Sequence, residues 1–211
     1  MSGEFYYWGP FVYKTNIDDS MRKNLIEISK DLTIDFSSIL AGRLEKQLKY
    51  ERNEKELYEY LLQPFIQEYV ESLYLDFYGK PPPPPAHFFL DEVWLNRQKA
   101  KEHNPLHSHA GDISFVLYLD VPEEISKEEY IHRGAPNGSL NFAFGEKTVG
   151  SNNNDNILSM LQPKTEMELQ PKTGELIIFP SYLNHYVQSF DTEGIERWSV
   201  SGNFFITENK E

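Results

Sequence analysis

The chain has 211 residues, a length that suits one domain or at most two small ones. It contains no cysteine, which excludes disulfides, thiolate metal centres and cysteine nucleophiles and fits a reducing compartment, here expected to be the cytoplasm. With 33 acidic against 20 basic residues the formal charge is −13, which opposes nucleic-acid backbones and anionic membranes as partners.

The opening MSGEFYYWGP has neither the basic start nor the apolar stretch of a signal peptide, and no window has the run of apolar residues a membrane helix needs. Residues 3–15 are aromatic and β-branched and predict a strand interrupted at Gly9-Pro10, one that could pair across a homodimer. Asp18 and Asp19 can cap a helix that places Met21, Leu25, Ile28 and Leu32 on one face. Residues 54–79 read as the clearest helix. Leu57, Leu61, Phe65, Tyr69, Leu73 and Phe77 recur every fourth position as a core stripe, and Pro64 is expected to kink the helix or begin a second one. The prolines at 81–85 predict a stiff extended linker.

After Ala86 the pattern changes. HFFLDEVWLNRQ, DISFVLYLDVP, GSLNFAFGE, EMELQP, GELIIFP, HYVQSFD and RWSVSGNFFI are short β-type runs bounded by turn residues. Helices followed by many short strands imply a mainly β protein, a jelly roll with helices packed outside. The expected organisation is one domain over 1–211, with a strand-and-helix elaboration at 1–80 and the β core at 86–206. Residues 146–165 are polar and read as a long loop, either a lid or a solvated excursion.

His107 and His109 stand two apart in NPLHSHAGD, so an extended backbone turns both to the same face. His185 heads another strand run. Two imidazoles from one strand and a third from a distant one could hold a metal inside the roll, although a histidine pair also arises by chance. HYVQSF, DTEGIE and RWSVSGNFF read as a hairpin that sets Arg197, Ser199 and Ser201 on one face beside His185. An arginine on an interior face needs an anion, and its fork matches a carboxylate. On a solvent face it would need none.

VWLN near Trp94, NPLHSHAGDISFVLYLDVP, and LQPKTGELIIFPSYLNHYVQSF continuing to the R-x-S of Arg197 and Ser199 together resemble the 2-oxoglutarate/Fe(II)-dependent dioxygenases. The chain is most similar to their prolyl-hydroxylase-like branch and to oxygenases of tailed phages, and the resemblance spans about 93–206. It implies a double-stranded β-helix and hydroxylation of a C–H bond of a peptide or small molecule, with release of succinate and CO2. It implies Fe(II) and 2-oxoglutarate as cofactors. A phage-encoded protein would act in the host cytoplasm. His107 and His185 would match iron ligands. Arg197, with Ser199 and Tyr118, would match the groups that hold the far carboxylate of 2-oxoglutarate, and Ser114 a small hydroxyl residue lining that pocket.

One feature departs from the family pattern. Where H-x-D or H-x-E is usual, this chain has His107-Ser108-His109. The third ligand is then His109 on spacing, or Asp112 if a bulge at Ala110-Gly111 turns it inward. Three imidazoles also suit a zinc or cupin-like enzyme that needs no keto acid, and the same roll without its metal would be a binding module.

Overall fold

The computed structural model describes residues 9–80, 87–128, 136–145 and 165–207. The proline run at 81–85, nearly all of the polar loop and the first eight residues lie outside the described residues.

Asp18 starts helix α1 (Asp19–Ser29) by accepting the backbone N–H groups of Ser20 and Met21 at 2.9 and 3.0 Å. Two donors that a helix start leaves without intrahelical partners are thereby satisfied. Before it, β1 (Tyr13–Asn16) is shorter than the predicted N-terminal strand: residues 9–12 do not belong to it, and β1 pairs within the chain, antiparallel to β8 (Glu175–Pro180). Strand β2 (Lys46–Lys49) is not foreshadowed by sequence pattern, because it is a short, mostly polar edge strand with too few apolar positions to show alternation.

Helix α2 runs unbroken from Arg52 to Tyr78 through Pro64 and ends at Gly79, whose left-handed conformation (φ 63°) suits a residue without Cβ. The predicted stripe holds in its middle and is corrected at its ends. Tyr69 is buried, and Leu61 and Phe65 pack half-buried against the core, but Tyr58, Leu62 and Ile66 are the other buried positions, whereas Leu57 is 38% and Phe77 56% exposed. A four-residue repeat overshoots each turn by about 40°, so a line of every-fourth residues winds around the helix and leaves the core.

The strands form two antiparallel sheets that make a double-stranded β-helix. The six-stranded sheet has the order β1-β8-β5-β10-β3-β2, and the four-stranded sheet β4-β9-β6-β7. In these, β3 spans His87–Gln98, β4 Asn104–His107, β5 Ile113–Asp120, β6 Leu140–Ala143, β7 Glu166–Leu169, β9 Asn184–Val187 and β10 Arg197–Thr207. A short helix, α3 (Glu123–Lys127), follows β5. Strand β5 is a nearly continuous apolar run because both its faces are covered. Ile113, Phe115, Leu117 and Leu119 join the core shared with α1 and α2, while Val116 and Tyr118 join a second core with Leu140 and Phe142 of the smaller sheet.

The expected β9–β10 hairpin does not form. Strand β9 lies between β4 and β6 in one sheet, and β10 between β5 and β3 in the other. The connecting residues are held by other parts of the chain and cross between sheets. Gln188 donates its backbone N–H to Ser139, Ser189 accepts from Gly138, Phe190 accepts from Lys101, and Glu128 accepts the N–H groups of Asp191 and Thr192. His185 and Arg197 therefore sit on opposing sheets rather than on neighbouring strands.

Candidate metal centre and anion cleft

His107 ends β4, His185 lies on β9, and the two are directly paired across the smaller sheet. His109 follows in the loop after β4, where its backbone N–H donates to Ser181 at 3.0 Å. The three rings lie 4.3–5.0 Å apart between centroids, and their candidate ligand atoms are all within 4.8 Å of one another. Three atoms no farther apart than that have a central point within about 2.8 Å of each, so inward shifts of roughly 0.7 Å give ordinary metal–nitrogen bonds near 2.1 Å.

The ring orientations suit such a role. Nδ1 of His107 donates to the carbonyl of Pro105 at 2.7 Å, and Nδ1 of His185 to that of Leu183 at 2.9 Å. A carbonyl accepts only, so each of these nitrogens carries the proton and each Nε2 keeps a lone pair. Burial and the neighbouring imidazoles push His109 down to about 3 and His185 to about 4, and burial also lowers His107. All three are neutral near pH 7, the state that binds a metal. Asp112 is not part of this group. Its carboxylate accepts the backbone N–H of Ile206 at 2.8 Å, at the far end of β10.

Across the cleft stands Arg197, 2% exposed at the start of β10. Its Nη1 donates to the carbonyl of Gly138, its Nη2 to the side-chain oxygen of Gln98, and its Nε is buried without a partner. The guanidinium lies 5.5 Å from the Tyr118 ring centre. Burial lowers its pKa and raises the phenol of Tyr118 to about 12. Among the described residues no anionic group touches it. A buried cation held only by neutral groups is costly, and an anion entering the cleft would offset that cost. Tyr118 and Ser199 line the same cleft, as do the three histidines.

Ser114 departs from its expected place. It shares the Tyr118 face of β5 but lies farther along the strand, where its hydroxyl bonds Ser181 and Asn203, each at 2.8 Å. It does not line the cleft. Sequence reasoning missed Gln98 and Asn96, which line the cleft with Trp94 from β3. Their signal was present: Trp94, Asn96 and Gln98 alternate with Leu95 and Arg97, and polar residues on an inward strand face mark a site.

Fold and site together define a double-stranded β-helix with three clustered histidines that could hold a metal on one sheet and a buried cation on the other. Residues 92–203, more than half of the chain, match the family model described as "Putative 2OG-Fe(II) oxygenase". The chain belongs to the 2OG-Fe(II) oxygenase family, whose cofactors are Fe(II) and 2-oxoglutarate. Among solved structures it is similar to a Pseudomonas putida prolyl-4-hydroxylase (16% identity, TM-score 0.51, covering 93% of this chain and 92% of that one). It is also similar to the viral collagen prolyl hydroxylase of Paramecium Bursaria Chlorella virus-1, solved with 2-oxoglutarate (14%, 0.53, 93% and 96%). A third is the α-ketoglutarate-dependent epimerase SnoN of nogalamycin biosynthesis (12%, 0.56, 93% and 78%). At these identities the likeness establishes the fold. A search of curated proteins finds no match. No helix among the described residues is long and apolar enough to cross a membrane.

Proposed function

We propose that this protein is a 2-oxoglutarate-dependent hydroxylase acting on a peptide or small molecule, with iron held by His107, His109 and His185. The observation that carries this reading is the pairing, in one cleft, of three neutral imidazoles with a buried guanidinium that meets no counter-charge among the described residues. Iron and 2-oxoglutarate, when bound, supply the oxidising chemistry: one atom of O2 goes into succinate as CO2 leaves, and the other becomes a hydroxyl on a substrate carbon.

The chain's own residues bind and orient. Arg197 takes the far carboxylate of the keto acid, with the Tyr118 and Ser199 hydroxyls beside it. Three neutral ligands, with no carboxylate among them, leave the whole dipositive charge on the metal and strengthen its hold on anionic ligands. Phe179, whose ring packs 4.9 Å from that of His185, and Trp94, 5.8 Å from His109, keep the centre dry. Gln47, Asn96 and Asn104 also line the cleft, beside Gly42, and neutral polar groups of this kind suit an uncharged substrate rich in hydrogen-bonding groups. The prolyl hydroxylases among the similar structures make proline-containing peptides the first substrates to try.

The test is succinate release by purified protein with Fe(II), 2-oxoglutarate and a panel of peptides and metabolites. His185→Ala should abolish iron-dependent succinate formation, and full turnover in that variant would end the metal assignment. Arg197→Ala should weaken 2-oxoglutarate binding far more than iron binding, and equal loss of both would remove its assigned role. Zinc enzymes also use three histidines, but hydrolytic chemistry has no need of the uncompensated guanidinium.

A further inference from the structure

We infer that Gln98 is the residue that keeps the 2-oxoglutarate pocket positively charged. It is a positioning residue that holds the Arg197 fork in place with a neutral acceptor. The inference rests on the proposed keto-acid reading and deepens it.

The amide orientation of Gln98 is fixed by its surroundings. Its Nε2 donates to two backbone carbonyls, that of Glu102 at 2.6 Å and that of Gln188 at 3.2 Å. Carbonyls only accept, so the nitrogen must face them and the oxygen must face Arg197 Nη2. Gln98 is 4% exposed and joins three parts of the roll: the end of β3, the turn before β4, and the segment leaving the His185 strand. It therefore links the arginine of one sheet to the histidine strand of the other.

Among the described residues, three acidic side chains nearby are engaged elsewhere, and the first of them, Glu196, pairs with Arg97. The Glu102 carboxylate accepts the backbone N–H groups of Glu45 and Lys99, each at 2.7 Å. The Glu175 carboxylate accepts from Lys14 Nζ at 3.1 Å and from the Lys172 backbone at 3.0 Å. The second acceptor on the guanidinium, the Gly138 carbonyl, is also neutral. The arginine is thus held in geometry without being cancelled in charge. A glutamate at position 98 has the same shape and reverses this. One of its oxygens would form an internal ion pair with Arg197, and the other would face two carbonyls with no proton to offer.

Two substitutions separate charge from packing. In Gln98→Glu and Gln98→Met, the affinity for 2-oxoglutarate is measured by anaerobic calorimetry with Fe(II) bound, and Fe(II) affinity is measured separately. If Gln98 acts by neutrality, Gln98→Glu loses about thirtyfold or more in 2-oxoglutarate affinity while iron binding stays within about threefold. Gln98→Met, which removes more hydrogen bonds but adds no charge, loses several times less. Comparable loss in both variants would show a packing strut and overturn the inference. So would undiminished 2-oxoglutarate binding in Gln98→Glu. A wild-type protein that binds iron and ignores 2-oxoglutarate is a different failure: it would overturn the keto-acid reading itself, and this role with it.

Discussion

The three imidazoles set a pH response of their own. Their folded pKa values lie below the usual 6.5, at about 3 for His109 and about 4 for His185, with His107 also lowered. Below pH 6.5 the unfolded chain therefore takes up protons that the folded chain refuses. Their contribution to stability is complete above pH 6.5 and is lost progressively as the pH falls toward 4 and then 3. In chelator-treated protein, urea unfolding should show stability falling across this window, by up to about 1.4 kcal/mol per pH unit for each fully desolvated imidazole. Replacing His185 with Asn should flatten the curve between pH 6 and 4. An unchanged slope in that variant would mean the imidazole is solvated. The histidines and Arg197 were readable in the sequence because their chemistry is rare and their strand spacing regular. Alternation puts Ser114 on the Tyr118 face of β5, but face alone does not say how far along a strand the cleft extends. The alternation of Trp94, Asn96 and Gln98 puts Gln98 on an inward face, but its pairing with Arg197 depends on the fold and is not legible in the sequence.

At the level of strands and helices, the sequence showed what depends on local pattern and hid what depends on partners. The β runs after residue 86 correspond to strands, since alternation and turn residues are local signals. The β9–β10 connection resembled a hairpin because Gly194 lies between two strand-like runs, yet hydrogen bonds to Ser139, Gly138 and Lys101 carry it across the sandwich. In α2 the stripe had the right residue types and an incorrect period. Gly202 on β10 tests how closely one element can approach its neighbours. A Cβ there would lie 2.7 Å from both the Glu92 carbonyl and the edge of the Phe115 ring, and neither backbone nor a buried ring yields easily. Gly202→Ala should therefore cost about 1–3 kcal/mol by overpacking, measured as a lower urea midpoint at unchanged m-value. A neutral or stabilising result would show that Phe115 has room to turn.

Over the whole molecule, the two halves of the proposed site belong to different sheets. The histidines come from β4, its following loop and β9 in the smaller sheet, while Arg197, Tyr118 and Ser199 come from β10 and β5 in the larger. A metal ion alone would cross-link only the smaller sheet. A keto acid chelating that ion while its other end meets Arg197 would tie one sheet to the other. The two ligands should then reinforce each other, and by linkage each raises the affinity for the other by the same factor. Calorimetric melting under anaerobic conditions reads this directly. Ligand at about a hundred times its dissociation constant adds about 2.7 kcal/mol, worth roughly 5–10 °C in a domain of this size. Fe(II) should give such a shift alone, 2-oxoglutarate alone much less at the same concentration, and the two together more than the sum of their separate shifts. The excess should vanish in Arg197→Ala while the metal-only shift persists, because that variant keeps the imidazoles and loses the contact on the opposite sheet. Strictly additive shifts in the wild type would mean that the two ligands occupy independent sites, and the cleft would then be something other than a bridge between the sheets.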